Sequence, residues 1–275
     1  MVESLADHGA ALADERQESF DKRLVAGSFS RAADSYDSVA ALQRQVGSHM
    51  LTLQPARWRG QLLDLGSGTG YFSLPLAQQS GCRVLSLDLA QGMLNYARGH
   101  RAHPDITYLC ADAEQLPLAD DVIDGLFSSL AIQWCQSPTR LFAELARVMR
   151  PGATALVATL GPQTLHELRS AWATVDDYQH VNHFLPQAEL DSALLPLFDV
   201  DHFEQQQIVL QFEQLKQLTD ELKGLGAHNL NPGRPTALSG RQRVKTFRQA
   251  YEAMRDEQGL IPATYQVYYY RLCRR

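Results

Sequence analysis

The chain has little that would mark a secreted, membrane-spanning or nucleic-acid-coating protein. Four cysteines, Cys82, Cys110, Cys135 and Cys273, are scattered through 275 residues. No two of them stand as C-x-x-C, so neither a disulfide framework nor a cysteine zinc site is indicated, and the simple expectation is reduced, buried thiols. No apolar run approaches the roughly 20 residues that cross a bilayer. The opening stretch, MVESLADHGAALADER, is acidic and polar, unlike the basic then apolar start of a signal peptide. Positive charge is not in excess: 25 Lys and Arg stand against 31 Asp and Glu, a formal net charge of −6. A surface that binds nucleic acid in general is thereby excluded, leaving only local basic patches. Internal repeats and low-complexity segments are also absent. These absences point to a cytoplasmic globular protein whose partners are neither membrane nor nucleic acid. An apolar fraction of 45% is ample for a core.

What is there is an alternation. Helical spacing of apolar residues from Phe29 to about Met50 predicts an amphipathic helix or a helix pair. QLLDL then reads as a strand and YFSLPLAQQ as a helix. CRVLSLDL is a second strand, QGMLNYARGH a helix, ITYLCAD a third strand and VIDGLFSSL a fourth. The helix PTRLFAELARVM follows, expected to end at Pro151–Gly152, and ATALVATL is a fifth strand. Short connections between alternating elements imply a parallel sheet flanked by helices. After Leu160 the pattern turns helical, at Gln163 to Val175 and Gln187 to Leu197. The strand pattern FDVDHFEQQQIVLQF comes next, then helical segments from about Glu213 to Lys223 and Arg241 to Glu257, and a closing aromatic strand, ATYQVYYYRLC. The expected organisation is a polar arm over residues 1–24 and one domain over 25–275, with helical lid segments at about 161–197 and 213–258.

The first strand runs into LLDLGSGTGYFS, with Gly66, Gly68 and Gly70 at alternate positions. Glycine permits positive φ and lets a backbone approach a ligand closely. A strand, such a turn and then a helix form a binding turn at the carboxyl end of a parallel strand. The spacing is D-x-G-x-G-x-G from Asp64, not the dinucleotide G-x-G-x-x-G, whose last glycine would fall at Tyr71. An acid at the start disfavours a pyrophosphate and suits a ligand carrying an ammonium group. Asp88 ends the second strand, where a carboxylate can accept from both hydroxyls of a ribose. Asp112 follows the third strand and can accept from an exocyclic amine such as that of adenine, or serve as a helix N-cap.

Taken together, LDLGSGTG, LSLDLAQGML, ADAEQLPL, DGLFSSLAIQW and RVMRPGA resemble the class I S-adenosylmethionine-dependent methyltransferases. The resemblance implies an α/β Rossmann-like fold with a seven-stranded, mostly parallel sheet whose last strand is antiparallel. It implies S-adenosyl-L-methionine as cofactor and S-adenosyl-L-homocysteine as product. The glycine turn would cradle the methionyl part, Asp64 would reach its amino group and Asp88 its ribose, with Asp112 and the Ala113 backbone on the adenine. Leu89, Met93 and Ser128 complete the implied cofactor set, with Phe29 and Tyr36 from the N-terminal helices. The flanks FSRAADSYDSVAALQRQVG, HVNHFLP, LKGLGAHNLNPGR and PATYQVYYYRLC are similar to those of the biotin-pathway methyltransferases. Those enzymes methylate the free carboxyl of a malonyl group on acyl carrier protein, which implies that substrate here, with malonyl coenzyme A as a second carrier. A class I methyltransferase acting on a free small carboxylic acid or a quinone ring carbon is one alternative. A non-catalytic cofactor-binding regulatory domain is another.

A carboxylate acceptor is already ionised at neutral pH, so no general base is expected. Tyr36 and Arg234, the latter in NPGR, are the candidates for groups near the substrate. Trp134 could wall the pocket or simply pack in the core. His180 and His183 are spaced H-x-x-H without further evident ligands, so no metal is expected. Helical spacing puts Arg241, Lys245 and Arg248 on one face, with Arg243 beside them and Val244, Phe247, Tyr251 and Met254 on the other. Carrier proteins are acidic, so that basic face is a candidate docking stripe; an ordinary solvated helix face explains it equally well.

Overall fold

The computed structural model describes residues 21–54, 58–227 and 240–275. Helices α1 (Lys22–Val39) and α2 (Ala41–Thr52) come first. The apolar spacing from Phe29 to Met50 is thus a helix pair, and it starts at Lys22, inside the stretch read as a polar arm. Asp21 caps α1 by accepting from the Arg23 N–H at 2.8 Å. Alternation follows: β1 (Gln61–Leu65), α3 (Ser73–Ser80), β2 (Arg83–Asp88), α4 (Gln91–His100), β3 (Ile106–Cys110), β4 (Ile123–Ser129), α5 (Pro138–Val148) and β5 (Met149–Leu160). Then come α6 (His166–Ala173), α7 (Gln187–Leu194), β6 (Phe198–Phe212), α8 (Leu215–Gly224), α9 (Arg241–Glu252) and β7 (Ile261–Arg274).

One sheet of seven strands results, in the order β3-β2-β1-β4-β5-β7-β6. The neighbours from β3 to β5 are parallel, and β7 runs antiparallel between β5 and β6. Because strand side chains alternate, consecutive apolar residues feed two separate cores. Leu62, Phe127 and Leu156 pack with Val46 and Met50 of α2, Leu76 of α3 and Ala171 of α6. Leu63, Leu126 and Val157 pack on the opposite face with Phe142 and Leu145 of α5 and Leu194 of α7. β1 lies between β2 and β4, so the winding reverses there and a cleft opens at the carboxyl ends of these strands.

Two local expectations are corrected. Helix α5 stops at Val148, before the Pro151–Gly152 pair read as its terminator. The chain is already extended at Met149, and its pairing with β4 jumps from Ile123↔Met149 to Gly125↔Thr154. Proline and glycine therefore occupy a bulge, where a missing N–H and the Gly152 φ of 78° are tolerated. The cysteines are not uniformly buried: Cys82 is, whereas Cys110 is exposed on the edge strand β3. Among the described residues, no helix is long and apolar enough to cross a membrane.

Candidate cofactor and substrate site

The glycine turn closes by two hydrogen bonds, from the N–H groups of Gly66 and Ser67 to the Leu87 carbonyl oxygen, at 2.8 and 2.9 Å. Gly66 has φ of 70°, and a Cβ there would stand 2.1 Å from that of Ala131, so only glycine lets the turn close. Gly68 has φ of 54°, and a Cβ there would meet nothing within 4 Å. Its backbone faces open space, as a ligand cradle requires. Gly70 is different: it does not border the cleft, and its place is set by α4, where Ala97 would lie 3.0 Å from an added Cβ.

Three acids stand at the strand ends. Asp88 accepts from Gly68 N–H at 2.8 Å through Oδ2 and from Ala90 N–H at 2.7 Å through Oδ1. It thus braces the turn, and each oxygen keeps a further lone pair for the cleft it lines. Burial raises its pKa, against the hydrogen bonds from these backbone groups. Asp64 is 3% exposed and accepts from Ser73 Oγ at 2.6 Å. Burial pushes its carboxyl up to about 7 despite that hydrogen bond, and the nearby Asp88 charge adds to the rise. Asp112 accepts from Lys22 Nζ at 2.7 and 2.6 Å and from Glu114 N–H at 3.0 Å. It lies in a turn rather than at a helix start, and Lys22 also pairs with Glu114. Burial alone would lower the Lys22 pKa; the hydrogen bonds to Asp112 and Glu114 outweigh it and raise it.

The cleft is a concave space at the carboxyl ends of the strands. Of the residues implied by the resemblance, Phe29, Tyr36, Gly66, Gly68, Asp88, Leu89, Met93, Asp112 and Ala113 line it. Trp134 lines it too, edge-on to Phe29 with ring centroids 5.3 Å apart. Asp64 borders a contiguous recess that shares Tyr36, Gly66, Gly68 and Ser129 with the cleft. Ser128 does not reach it: its hydroxyl donates to the Leu65 carbonyl at 3.0 Å, buried inside the sheet. Ser129, one step along β4 and so on the other face, lines both spaces, and its Oγ is buried without a partner among the described residues. The Tyr36 phenol is pushed far up by burial, and Asp88 and Asp37 push the same way, so it stays neutral and able to donate. Asp37 is not among the site residues expected from the sequence. It accepts from Thr69 Oγ1 at 2.7 Å and from Arg101 Nη2 at 2.5 Å, tying α1 to the glycine turn and to α4.

Past Tyr36, Phe29 and Trp134 the space opens into a second, largely apolar chamber. Leu168, Trp172 and Phe184 come from the stretch after β5, Leu222 and Phe247 from α8 and α9, and Leu42 and Gln43 from α2. His180 lines it, stacked on Trp172 at 3.7 Å, with Nε2 2.8 Å from Asp176. Burial would raise the Asp176 pKa, but hydrogen bonds from His180 and Arg243 hold it below the usual range. Arg243 is therefore turned to Asp176 rather than beside the stripe. Arg241, Lys245 and Arg248 do share an exposed patch, and Val244 stands among them, 41% exposed, rather than on the buried side with Phe247 and Tyr251. His183 borders a separate small cavity, and no group of three His, Cys, Asp or Glu among the described residues is arranged to hold a metal. Arg234 lies outside the described residues.

A sheet in this order, with a glycine turn after β1 and acids at the ends of the next two strands, defines the class I S-adenosylmethionine-dependent methyltransferase fold. A family described as a methyltransferase domain matches residues 63–157. The phosphoethanolamine N-methyltransferase 2 of Haemonchus contortus superposes with a TM-score of 0.56 at 16% identity, over 89% of this chain and 57% of that one. The biotin biosynthesis bifunctional protein BioHC of Cellvibrio japonicus is 50% identical over 92% of this chain and 50% of its own length, so the chain spans about half of that relative. The malonyl-[acyl-carrier protein] O-methyltransferase of Pectobacterium atrosepticum is 41% identical over 92% of this chain and 96% of its own. The chain belongs to the malonyl-[acyl-carrier protein] O-methyltransferase family.

Proposed function

We propose that the protein uses S-adenosylmethionine to methylate the free carboxylate of a malonyl thioester carried by acyl carrier protein, the reaction named for its relatives and an early step toward biotin. The observation that carries this reading is the continuity of two unlike spaces. An acid-rimmed cleft passes, at Tyr36, into an apolar chamber of the kind that receives an acyl chain. The residues present fit the cofactor. Gly68 leaves room for a ligand backbone, and Asp88 keeps acceptors free for two hydroxyls. The buried Asp64 carboxyl is placed to accept from a ligand ammonium, and the Ser129 hydroxyl has no partner among the described residues. Asp112 is already paired with Lys22, so an adenine amine would share that carboxylate and rest against Ala113.

When bound, S-adenosylmethionine supplies a methyl group made electrophilic by a sulfonium. The rest falls to the protein. Tyr36, Phe29 and Trp134 line the passage between the two spaces and would exclude water from the junction. A carboxylate with an ordinary pKa near 4 is ionised at neutral pH, so alignment rather than proton removal is required. In this reading the described parts of the two lid segments, 161–197, 213–227 and 240–258, cover the chamber, and the protein acts on the carrier-bound acid in the cytoplasm. A carbon-methylating reading would need a base, and His180 with Asp176 has the geometry of one. Incubation with labelled cofactor and malonyl carrier protein, malonyl coenzyme A, free malonate or acetyl carrier protein decides between them. A base-labile methyl ester on malonyl carrier protein is expected, with acetyl carrier protein inert. Methylmalonyl product, or no transfer to any malonyl thioester, would overturn the proposal.

A further inference from the structure

Tyr36 and Gln43 are the two described side chains that border both the recess of Asp64 and Ser129 and the apolar chamber. They come from successive helices, α1 and α2, and face the point where cofactor and acceptor would meet. Gln43 is half-buried, and its Oε1 is buried with no hydrogen-bond partner among the described residues. A buried carboxamide atom without a partner is costly, so this amide end leaves a hydrogen-bonding position unfilled beside the junction, and the terminal amide can turn to offer either its oxygen or its N–H there. Arg44 also borders this recess, but its guanidinium donates to the Asp37 carbonyl oxygen at 2.6 Å. Lys223 lines the chamber only at its exposed rim.

We infer that Gln43 is the substrate-binding residue that takes the terminal carboxylate of the acyl chain; this rests on the malonyl reading above. A half-turn of its terminal amide presents Nε2–H to one carboxylate oxygen, with the neutral Tyr36 phenol as a second donor. The chemistry favours such a neutral pair. A lone pair on the carboxylate oxygen becomes the new O–CH₃ bond, the C–S bond breaks, and its electrons return to sulfur. No proton moves, and a negative and a positive charge vanish together. A cation against the carboxylate would stabilise the reactants more than the transition state and slow transfer, whereas a neutral donor orients the oxygen at a smaller cost. An arginine at this junction would bind better and react worse.

The test is binding selectivity in the presence of S-adenosylhomocysteine, read by calorimetry with malonyl and acetyl pantetheine thioesters. Wild-type protein should prefer malonyl by about tenfold or more, and Gln43→Met should reduce the preference to about twofold or less. In turnover, kcat/KM for the malonyl thioester should fall about ten- to a hundredfold, the range of a charge-assisted hydrogen bond. S-Adenosylhomocysteine affinity and the thermal midpoint should hold, which excludes a misfolded variant. Gln43→Glu keeps the shape and adds a like charge, so it should lose more malonyl affinity at pH 8 than at pH 5. Undiminished malonyl preference in both variants would overturn the assignment to Gln43 alone. Wild-type protein that binds both thioesters equally would overturn the malonyl reading along with it.

Discussion

At the scale of single residues, the buried acid Asp64 carries a testable proton. Its pKa is raised from 3.8 to about 7, chiefly by burial. A folded-state pKa above the unfolded value means the stabilising contribution is complete below about 4 and is lost as pH rises through about 7. The ligand-free protein should therefore melt at a lower temperature at pH 8 than at pH 5, and Asp64→Asn should flatten that part of the profile. A ligand ammonium favours the carboxylate, so binding S-adenosylhomocysteine near pH 6 should release up to about 0.9 proton in wild type and none from this site in Asp64→Asn. Calorimetry in buffers of different ionisation enthalpy measures it; equal proton release in the two would show that the ammonium sits elsewhere. The placement of Asp64 and Asp88 at strand ends beside the glycine turn was legible because the strand pattern around them is strong. Ser129 was missed for its neighbour Ser128, because a strand in a doubly covered sheet is apolar on both faces and its sequence does not say which way each serine points. Gln43 and Asp37 read as ordinary polar positions on helices, and only their long-range neighbours distinguish them.

Among elements, α1 does the most to shape the cleft. Lys22, Phe29 and Tyr36 recur every seven residues along it and all line the cleft. A lysine at a helix N-terminus opposes the helix dipole, yet Lys22 is held there by reaching across to Asp112 and Glu114. The helix is latched at its other end by Asp37, and packs between through Ala33 on Ala90 and Met93. Lys22→Ala should free the first turn and speed S-adenosylhomocysteine release about two- to fivefold, the range of a partly exposed ion pair, without changing the fold. Stopped-flow fluorescence reads this directly, and an unchanged rate would show that Asp37 and the Ala33 packing hold the helix alone. Element types were legible because the periods of β1, β2, β4 and α5 are strong. Their ends were less so: the Pro151–Gly152 pair resembles a helix stop, but Met149 had already joined the sheet, since pairing with Ile123 outweighs one more helical turn. The start of α1 was hidden because Lys22 and Arg23 look like solvated arm.

At the scale of the whole molecule, charge and topology matter most. If the substrate is the proposed acidic carrier, a protein of net charge −6 would repel it at long range, and the patch of Arg241, Lys245 and Arg248, which also holds Glu252, is the proposed point of local attraction on the side of α9 away from the chamber. Reversing the three to Glu should raise KM for malonyl carrier protein about tenfold or more and flatten its salt dependence, since such charges act within a screening length of about 8 Å. Malonyl pantetheine kinetics should scarcely move; equal loss on both substrates would mean a damaged chamber, and no loss on either would leave the patch as solvated surface. The position of β7 has a consequence of another kind, for the order in which a growing chain becomes an enzyme. Every partner of β6 in the sheet belongs to β7, and β5 too waits for β7 on that side. Until residues 261–274 are made, translation has delivered six strands with two open edges and one strand without a neighbour. β1 to β5 can assemble the glycine turn and its acids by then. The chamber cannot close, because Leu165 N–H bonds the Thr264 carbonyl at 2.6 Å and Gly161 N–H bonds that of Gln266 at 2.9 Å. In chain order, then, the contacts around the glycine turn are available before β7, and those that close the chamber only after it.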